Sequence, residues 1–308
     1  MQQKTRFSQT IKAKALQLGF DACGISCVDF LKEDASRLDS WLRTGKHGEM
    51  AYMANHFEKR TNPKKLVKGA KSVISVILNY FPEKTQYDPE APVISKYAFG
   101  EDYHFVVKRR LKDLLKFIKT EIGEVQGRIF VDSAPILERA WAARAGLGWI
   151  GKNSMLISKK HGSFIFLGEL MVDLELEYDE PSKKDYCGTC TECIDACPTG
   201  AIVQPCVVDG SKCISYLTIE LKGEIPGQFK DQFQNRAFGC DICQDVCPWN
   251  RKVKPHKTIE FKPEKKLLEM TRDDWYQLGE EDFRKLFKNS ALKRSGYKGL
   301  MRNIRFIK

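Results

Sequence analysis

The chain has 308 residues, a formal net charge of +11, 42% hydrophobic residues and eleven cysteines. That length gives ample core for one large or two modest domains. No stretch approaches the about 18 uninterrupted apolar residues of a membrane span, so a soluble protein is expected, and the excess positive charge points to an acidic partner, most commonly nucleic acid.

The opening Met1-Gln2-Gln3-Lys4-Thr5-Arg6 runs into an amphipathic helix over 7–20 with Phe7, Ile11, Ala15, Leu16 and Leu18 apolar, stopping at Gly19; this is no secretory leader. Phe20 to Ser26 predicts a short strand, and Ser72 to Tyr80, rich in β-branched residues, a buried one halted by Phe81-Pro82. Tyr103 to Ile122 predicts a long amphipathic helix whose apolar face includes Phe105, Val106, Leu111, Leu114, Leu115 and Ile118. Arg128 to Asp132 follows as a strand, Leu137 to Ala145 as a helix, and Ser163 to Val172 as a strand. This alternation argues for an α/β (α+β) domain over about 1–175. From Asp179 to about Asn250 cysteine, proline and glycine dominate, which suits a compact module held by metal. The lysine- and arginine-rich remainder, interrupted by aromatics, reads as short helices packed back onto the body.

Eight cysteines carry the chemistry. Cys187, Cys190, Cys193 and Cys197, followed by Pro198, have the bacterial ferredoxin spacing C-x2-C-x2-C-x3-C-P, and Cys240, Cys243 and Cys247-Pro248 form a second, incomplete run. In two-cluster ferredoxins the last cysteine of a run serves the other cluster. One [4Fe–4S] cluster then takes Cys187, Cys190, Cys193 and Cys247. The other takes Cys197, Cys240 and Cys243 and lacks a ligand, for which Cys206 and Cys213 compete. Structural zinc uses paired C-x2-C sets and leaves the third cysteine of the first run unexplained. Thiols in cluster patterns suit the reducing cytoplasm. Cys23 and Cys27, in an apolar stretch, read as small core residues.

A bare ferredoxin needs far fewer residues, so the first domain should hold an acceptor or a substrate. Its most informative stretch runs from Asp132, at the end of a predicted strand, to Gly146, Gly148, Gly151, Lys152 and Asn153. The glycines predict a turn that lets backbone approach something flat or bulky, but they match no nucleotide-binding fingerprint. Asp132 alone reads equally as a helix cap or a catalytic acid.

The block Asp132–Asn153, with Lys96-Tyr97-Ala98-Phe99-Gly100-Glu101-Asp102-Tyr103-His104 before it and Cys213-Ile214-Ser215-Tyr216-Leu217-Thr218-Ile219-Glu220 after it, resembles the epoxyqueuosine reductases over nearly the whole chain. The resemblance implies a cobalamin-binding α/β domain (1–175), a ferredoxin-like domain with two [4Fe–4S] clusters (176–255) and a basic C-terminal segment (256–308). It selects Cys213 over Cys206 as the missing ligand. It assigns Asp132 as proton donor over the cobalt and Arg60 as a corrin contact. Ser95, Leu156, Leu167 and Ser215 align with other corrin-contacting positions, Lys152 and Asn153 join the cofactor-binding set, and Lys222 aligns approximately with a tRNA contact.

The implied reaction removes the epoxide oxygen of epoxyqueuosine at the tRNA wobble position. Low-potential clusters, whose class reaches roughly −700 mV, reduce cob(II)alamin to cob(I)alamin, and Asp132 supplies a proton, which requires its pKa to be raised by burial. An external low-potential donor, a tRNA partner, a cytoplasmic location, no membrane and a monomeric state complete the expectation. Two rivals remain: a corrinoid reductive dehalogenase, and a two-cluster electron-transfer protein without its own catalysis.

Overall fold

The computed structural model describes residues 2–182 and 184–308. Helix α1 (Gln2–Gln17) buries Ile11 and Ala15 completely and ends where Gly19 turns left-handed at φ +87°. Strand β1 (Ala22–Cys27) leads to helix α2 (Lys32–Arg43), and β2 (Ser72–Asn79) follows with all eight residues buried, as its unbroken apolar run requires. Helix α3 (Tyr103–Glu121) starts at Asp102, whose side chain accepts the His104 N–H. Strand β3 (Gly127–Phe130), helix α4 (Glu138–Arg144) and strand β4 (Ile165–Val172) complete the domain.

The four strands form one sheet in the order β1-β2-β4-β3, every pairing antiparallel, so the domain is the α+β form of the expected class. Side chains alternate across the sheet. Ile74, Val76, Leu78 and Leu170 meet α1 and α3, while Val73 and Met171 meet Trp141 of α4. On α3 the buried stripe is Val106, Val107, Leu111, Leu114 and Ile118. Phe105, expected on that face, is 59% exposed instead. Each buried apolar side chain contributes roughly 1.5–3 kcal/mol, so the stripe holds the helix without it.

Strand β3 also ends earlier than its sequence suggests. Val131 and Asp132 leave the ladder, and Asp132 adopts φ +55°, uncommon for a residue other than glycine. The acid therefore stands on a turn beyond the sheet edge, clear of the strand hydrogen bonds.

The two cysteine runs are built alike. Each wraps a one-turn helix, α5 (Glu192–Asp195) in the first and α7 (Ile242–Asp245) in the second, with a Cys-Pro step after it. Between them lie a small hairpin (Ile202–Gln204 with Val207–Val208) and α6 (Ile214–Ile219). The last 50 residues fold as short helices ending in α8 (Gly296–Phe306). Their core takes in Ala98, Phe99 and Phe238 alongside Trp275, Phe283, Phe287 and Ile304, which fastens the cysteine module to the segment before α3. Asn303, wholly buried, donates to the carbonyls of Thr218 and Ala237 at 2.7 and 2.8 Å and fixes α6 from behind.

Candidate active site and cluster cavities

Cys187, Cys190, Cys193 and Cys247 line one cavity of about 160 Å³ together with Lys152 and Trp249. Among the described residues no cluster of His, Cys, Asp or Glu closes around a single ion. Four thiols around a cavity of this size suit a cluster better than a lone zinc. Burial and the neighbouring thiols Cys187 and Cys247 push Cys193 up to about 11, a cost that metal ligation of the thiolate offsets. The Trp149 indole N–H donates to Cys187 Sγ at 3.5 Å, the kind of outer contact that tunes a cluster.

Cys197, Cys213, Cys240 and Cys243, expected as the second set, act electrostatically on one another. Burial lifts Cys243 most strongly, with Cys240 and Cys213 adding to it, and Cys197 adds to the rise at Cys213. Cys206 sits apart, exposed at the tip of the small hairpin with φ +65°, where Asp185 and Cys187 are the acidic groups acting on it. Cys23 is half-buried against the core, as expected of a small core residue, and burial pushes its thiol up to about 12. Cys27 departs from expectation: it is exposed as the last residue of β1, although alternation puts it on the same face as the buried Ile25.

Asp132 lies in a small charged network. Its N–H donates to Glu138 Oε1 at 2.6 Å, and its Oδ2 lies 3.2 Å from His104 Nε2. His104 Nδ1 in turn lies 2.6 Å from Asp102 Oδ1. The expectation that burial raises Asp132 fails here. Its side chain is 60% exposed, and the hydrogen bond from His104 holds its carboxyl below the ordinary carboxylate range, so it is ionised at neutral pH.

The raised carboxyls are the two behind it. Glu169 is wholly buried in β4, on the face that alternation turns toward α4, and there it faces Glu138. Burial lifts both, Glu138 to about 7 and Glu169 further, so the pair holds a proton at neutral pH. Groups raised above their unfolded value of 4.5 add stability below it, and that stability is lost as pH rises through about 7 and beyond. Going from pH 5.5 to 8.5 should therefore lower the thermal midpoint of the wild type by several degrees more than that of Glu169→Gln, as followed by circular dichroism. Equal losses would show that the pair does not titrate in this window.

The other predicted residues fall in three places. Arg60 is 7% exposed, donates from Nη2 to the Tyr52 carbonyl at 2.9 Å, and leaves its buried Nε without a hydrogen-bond partner. It shares an electrostatic neighbourhood with Tyr52, Asp132 and Arg294, the last paired with Glu220 at 3.0 and 3.1 Å. Ser95 is buried at the seam, its N–H donating to the Phe238 carbonyl at 2.8 Å. Leu156 packs with Leu167 beside α4, Ser215 is half-buried on α6, and Lys222 is exposed. Lys152 and Asn153 reach the cysteine loops: Lys152 Nζ donates to the Gly188 and Cys190 carbonyls at 2.7 and 2.9 Å, and Asn153 to that of Cys243 at 3.3 Å.

The glycine turn has a different purpose from the one its sequence suggests. A Cβ on Gly148 would lie 2.2 Å from the Ile157 carbonyl, and one on Gly146, at φ +73°, 2.7 Å from that of Glu180. What approaches so closely is the chain itself. Asp102, His104, Glu138, Glu169, Tyr52 and Arg294 carried no role in the sequence reading. The one available signal was Glu169, a carboxylate inside an apolar strand.

Two family models match the chain. Epoxyqueuosine reductase QueG, DUF1730, matches residues 60–133, and the 4Fe-4S double cluster binding domain matches residues 186–250. An epoxyqueuosine reductase of Cellulophaga algicola is 59% identical over 308 residues, covering all of both chains. That of Escherichia coli K12 is 43% identical over 97% of this chain and 80% of its own. Among solved structures, an epoxyqueuosine reductase with an epoxyqueuosine-modified tRNA-Tyr stem loop superposes with a TM-score of 0.91 at 30% identity, over 98% of this chain and 80% of that one. A reductive dehalogenase shares the fold at a TM-score of 0.50 and 17% identity, over 98% of this chain and 38% of that one.

Cysteine sets spaced for iron–sulfur clusters, together with a separate site that holds an ionised acid, define an iron–sulfur oxidoreductase. Within that class the chain belongs to the epoxyqueuosine reductase family.

Proposed function

We propose that this protein reduces epoxyqueuosine in tRNA to queuosine, using cobalamin and two [4Fe–4S] clusters, with Asp132 delivering a proton to the epoxide oxygen. The observation that carries the reading is the likeness, over 98% of the chain, to a reductase solved with an epoxyqueuosine-modified stem loop. Cysteines 187, 190, 193 and 247 hold one cluster and 197, 213, 240 and 243 the other, supplied by an external low-potential donor. When bound, cobalamin supplies a strongly reducing cobalt centre at which the epoxide is opened.

The cleft residues fit such a group. Arg60 is a buried cation whose Nε has no partner, and the amide oxygens around a corrin are acceptors for it. Ser95, Leu156, Leu167 and Ser215 complete the contact set, with Lys152 and Asn153 steadying the cluster loops beside it. Asp132 would supply the proton to the substrate there. A Bacillus subtilis epoxyqueuosine reductase, at a TM-score of 0.89, was captured with an aspartate catalytic loop swung out of its active site. In this chain the Asp132 N–H donates to Glu138 Oε1, a bond that restrains the turn carrying this acid.

The net charge of +11 and the exposed Lys222 suit an anticodon stem–loop that presents phosphates and one extruded base. A monomer working in the cytoplasm, where the tRNA and the reductant are, completes the reading. No described helix is long and apolar enough to cross a membrane.

Deleting the gene should make epoxyqueuosine accumulate in tRNA, as read by nucleoside mass spectrometry, and a plasmid copy should restore queuosine. Unchanged queuosine in the deletion strain would overturn the assignment. Binding of the purified protein to a modified stem–loop should fall steeply between 50 and 200 mM salt, by roughly 10³-fold or more if six phosphates are neutralised.

A further inference from the structure

We propose that His104 is the proton reservoir for epoxide opening, held as the imidazolium between Asp102 and Asp132 and passing its Nε2 proton to the Asp132 carboxylate. The proposal rests on the reading of this cleft as the epoxide-reducing site.

Geometry carries the argument. Both ring nitrogens face carboxylate oxygens, Nδ1 at 2.6 Å from Asp102 and Nε2 at 3.2 Å from Asp132. A neutral imidazole has one N–H and one lone pair, so either tautomer would set a lone pair against an anionic oxygen. Only the doubly protonated ring donates to both. Asp102 cannot turn away easily, since the same Oδ1 caps α3 by accepting the His104 N–H at 2.9 Å. The ring stacks on Tyr103 at 4.1 Å between centroids, and Tyr103 stacks on Phe166 of β4 at 4.2 Å and 4°. The imidazole is thereby fixed from two sides.

The electrostatics agree with this arrangement. Burial alone would lower His104, but the bonds to Asp102 and Asp132 overcome it and carry the ring up to about 9. Glu138, the hydroxyls of Tyr52, Tyr97 and Tyr103, and the guanidinium groups of Arg60, Arg139 and Arg294 also act on Asp132 from the elements packed around it. At neutral pH the proton therefore resides on His104 and not on Asp132.

The chemistry balances. Conversion of the epoxide to the alkene consumes two electrons and two protons, and the oxygen leaves as water. The electrons come from the external donor through the clusters and cobalamin. As the carbon–oxygen bond breaks, its electron pair moves onto oxygen. The Nε2–H bond of His104 breaks while an O–H bond forms on Asp132, and the Asp132 proton is then transferred to the epoxide oxygen. In the resting site this transfer is uphill, so the proton is released only as negative charge develops on that oxygen. The His104 side chain, 26% exposed, is recharged from solvent for the second proton and for the next turnover.

The test begins with histidine ring resonances of the cluster-loaded protein, those of His104 being identified by their loss in His104→Gln. His104 should titrate near pH 9 in the wild type and at least one unit lower in Asp102→Asn. Titration at or below the ordinary value of 6.5 would overturn the proposal, whatever the substrate proves to be. The second readout is single-turnover conversion of the modified stem–loop across pH. The wild-type rate should hold level up to about pH 9, whereas His104→Gln should be 10–100-fold slower at pH 8 and recover as pH falls and bulk acid loads Asp132. A loss equal at every pH, with cluster and corrin absorbance intact, would mean a structural role only and would sink the reservoir. Failure of the wild type to convert the stem–loop at all would count against the function instead, leaving the titration to judge His104 separately.

Discussion

Cys213→Ala is expected to lose about half the iron of the purified protein and to lower turnover to background. In the proposed assignment the alanine removes the one ligand of the second cluster that lies outside the two cysteine runs. Cys213 immediately precedes α6; burial raises its thiol, and the nearby N–H groups of Ser215 and Tyr216 offset part of that rise. A cluster left with Cys197, Cys240 and Cys243 has an open iron and is readily lost. Because metal binding is part of the folding energy of such modules, the thermal midpoint should fall as well. Iron assay and electron paramagnetic resonance of the dithionite-reduced protein measure the outcome. Cys206→Ala is the control, and its iron should stay at the wild-type level, since that thiol sits exposed on the hairpin tip. The reverse pattern would exchange the two assignments.

The legibility of this molecule in its sequence follows the range of the interactions involved. The double-cluster domain was readable because a ferredoxin run is local: three thiols within seven residues and a fourth before proline. The buried strands were readable for the same reason, since β2 and β4 are eight-residue runs whose burial matches their composition. The antiparallel order was not, because alternating strands and helices are compatible with either direction of pairing. The proton network was hidden further still. His104 was quoted within a motif, but its partners Asp102 and Asp132 come together only when α3 packs against the sheet. The glycine turn misled for a physical reason. A backbone that must be approached closely selects glycine whether the neighbour is a ligand or, as here, the carbonyls of Ile157 and Glu180.

The charge state of Asp132 decides what its replacement should do. Asp132→Asn keeps the size of the side chain and a polar contact with His104, but an amide neither accepts nor passes on the imidazolium proton. Turnover should fall by about 10²–10⁴-fold, the usual contribution of a positioned acid, or roughly 3–5 kcal/mol of barrier. Corrin absorbance after incubation with cobalamin should match the wild type, because Arg60 and the seam around Ser95 are untouched. The turn should also stay in place, since the bond to Glu138 is made by the backbone N–H and survives the substitution. His104 loses one of its two anionic partners but keeps Asp102, so its titration should move down from about 9 without reaching the ordinary value. If Asp132 transmits the His104 proton, combining Asp132→Asn with His104→Gln should cost little more than Asp132→Asn alone, the non-additivity of two groups on one path. Multiplicative losses in single-turnover assays would mean that the two residues act on separate steps, and full activity in Asp132→Asn would remove this acid from the mechanism.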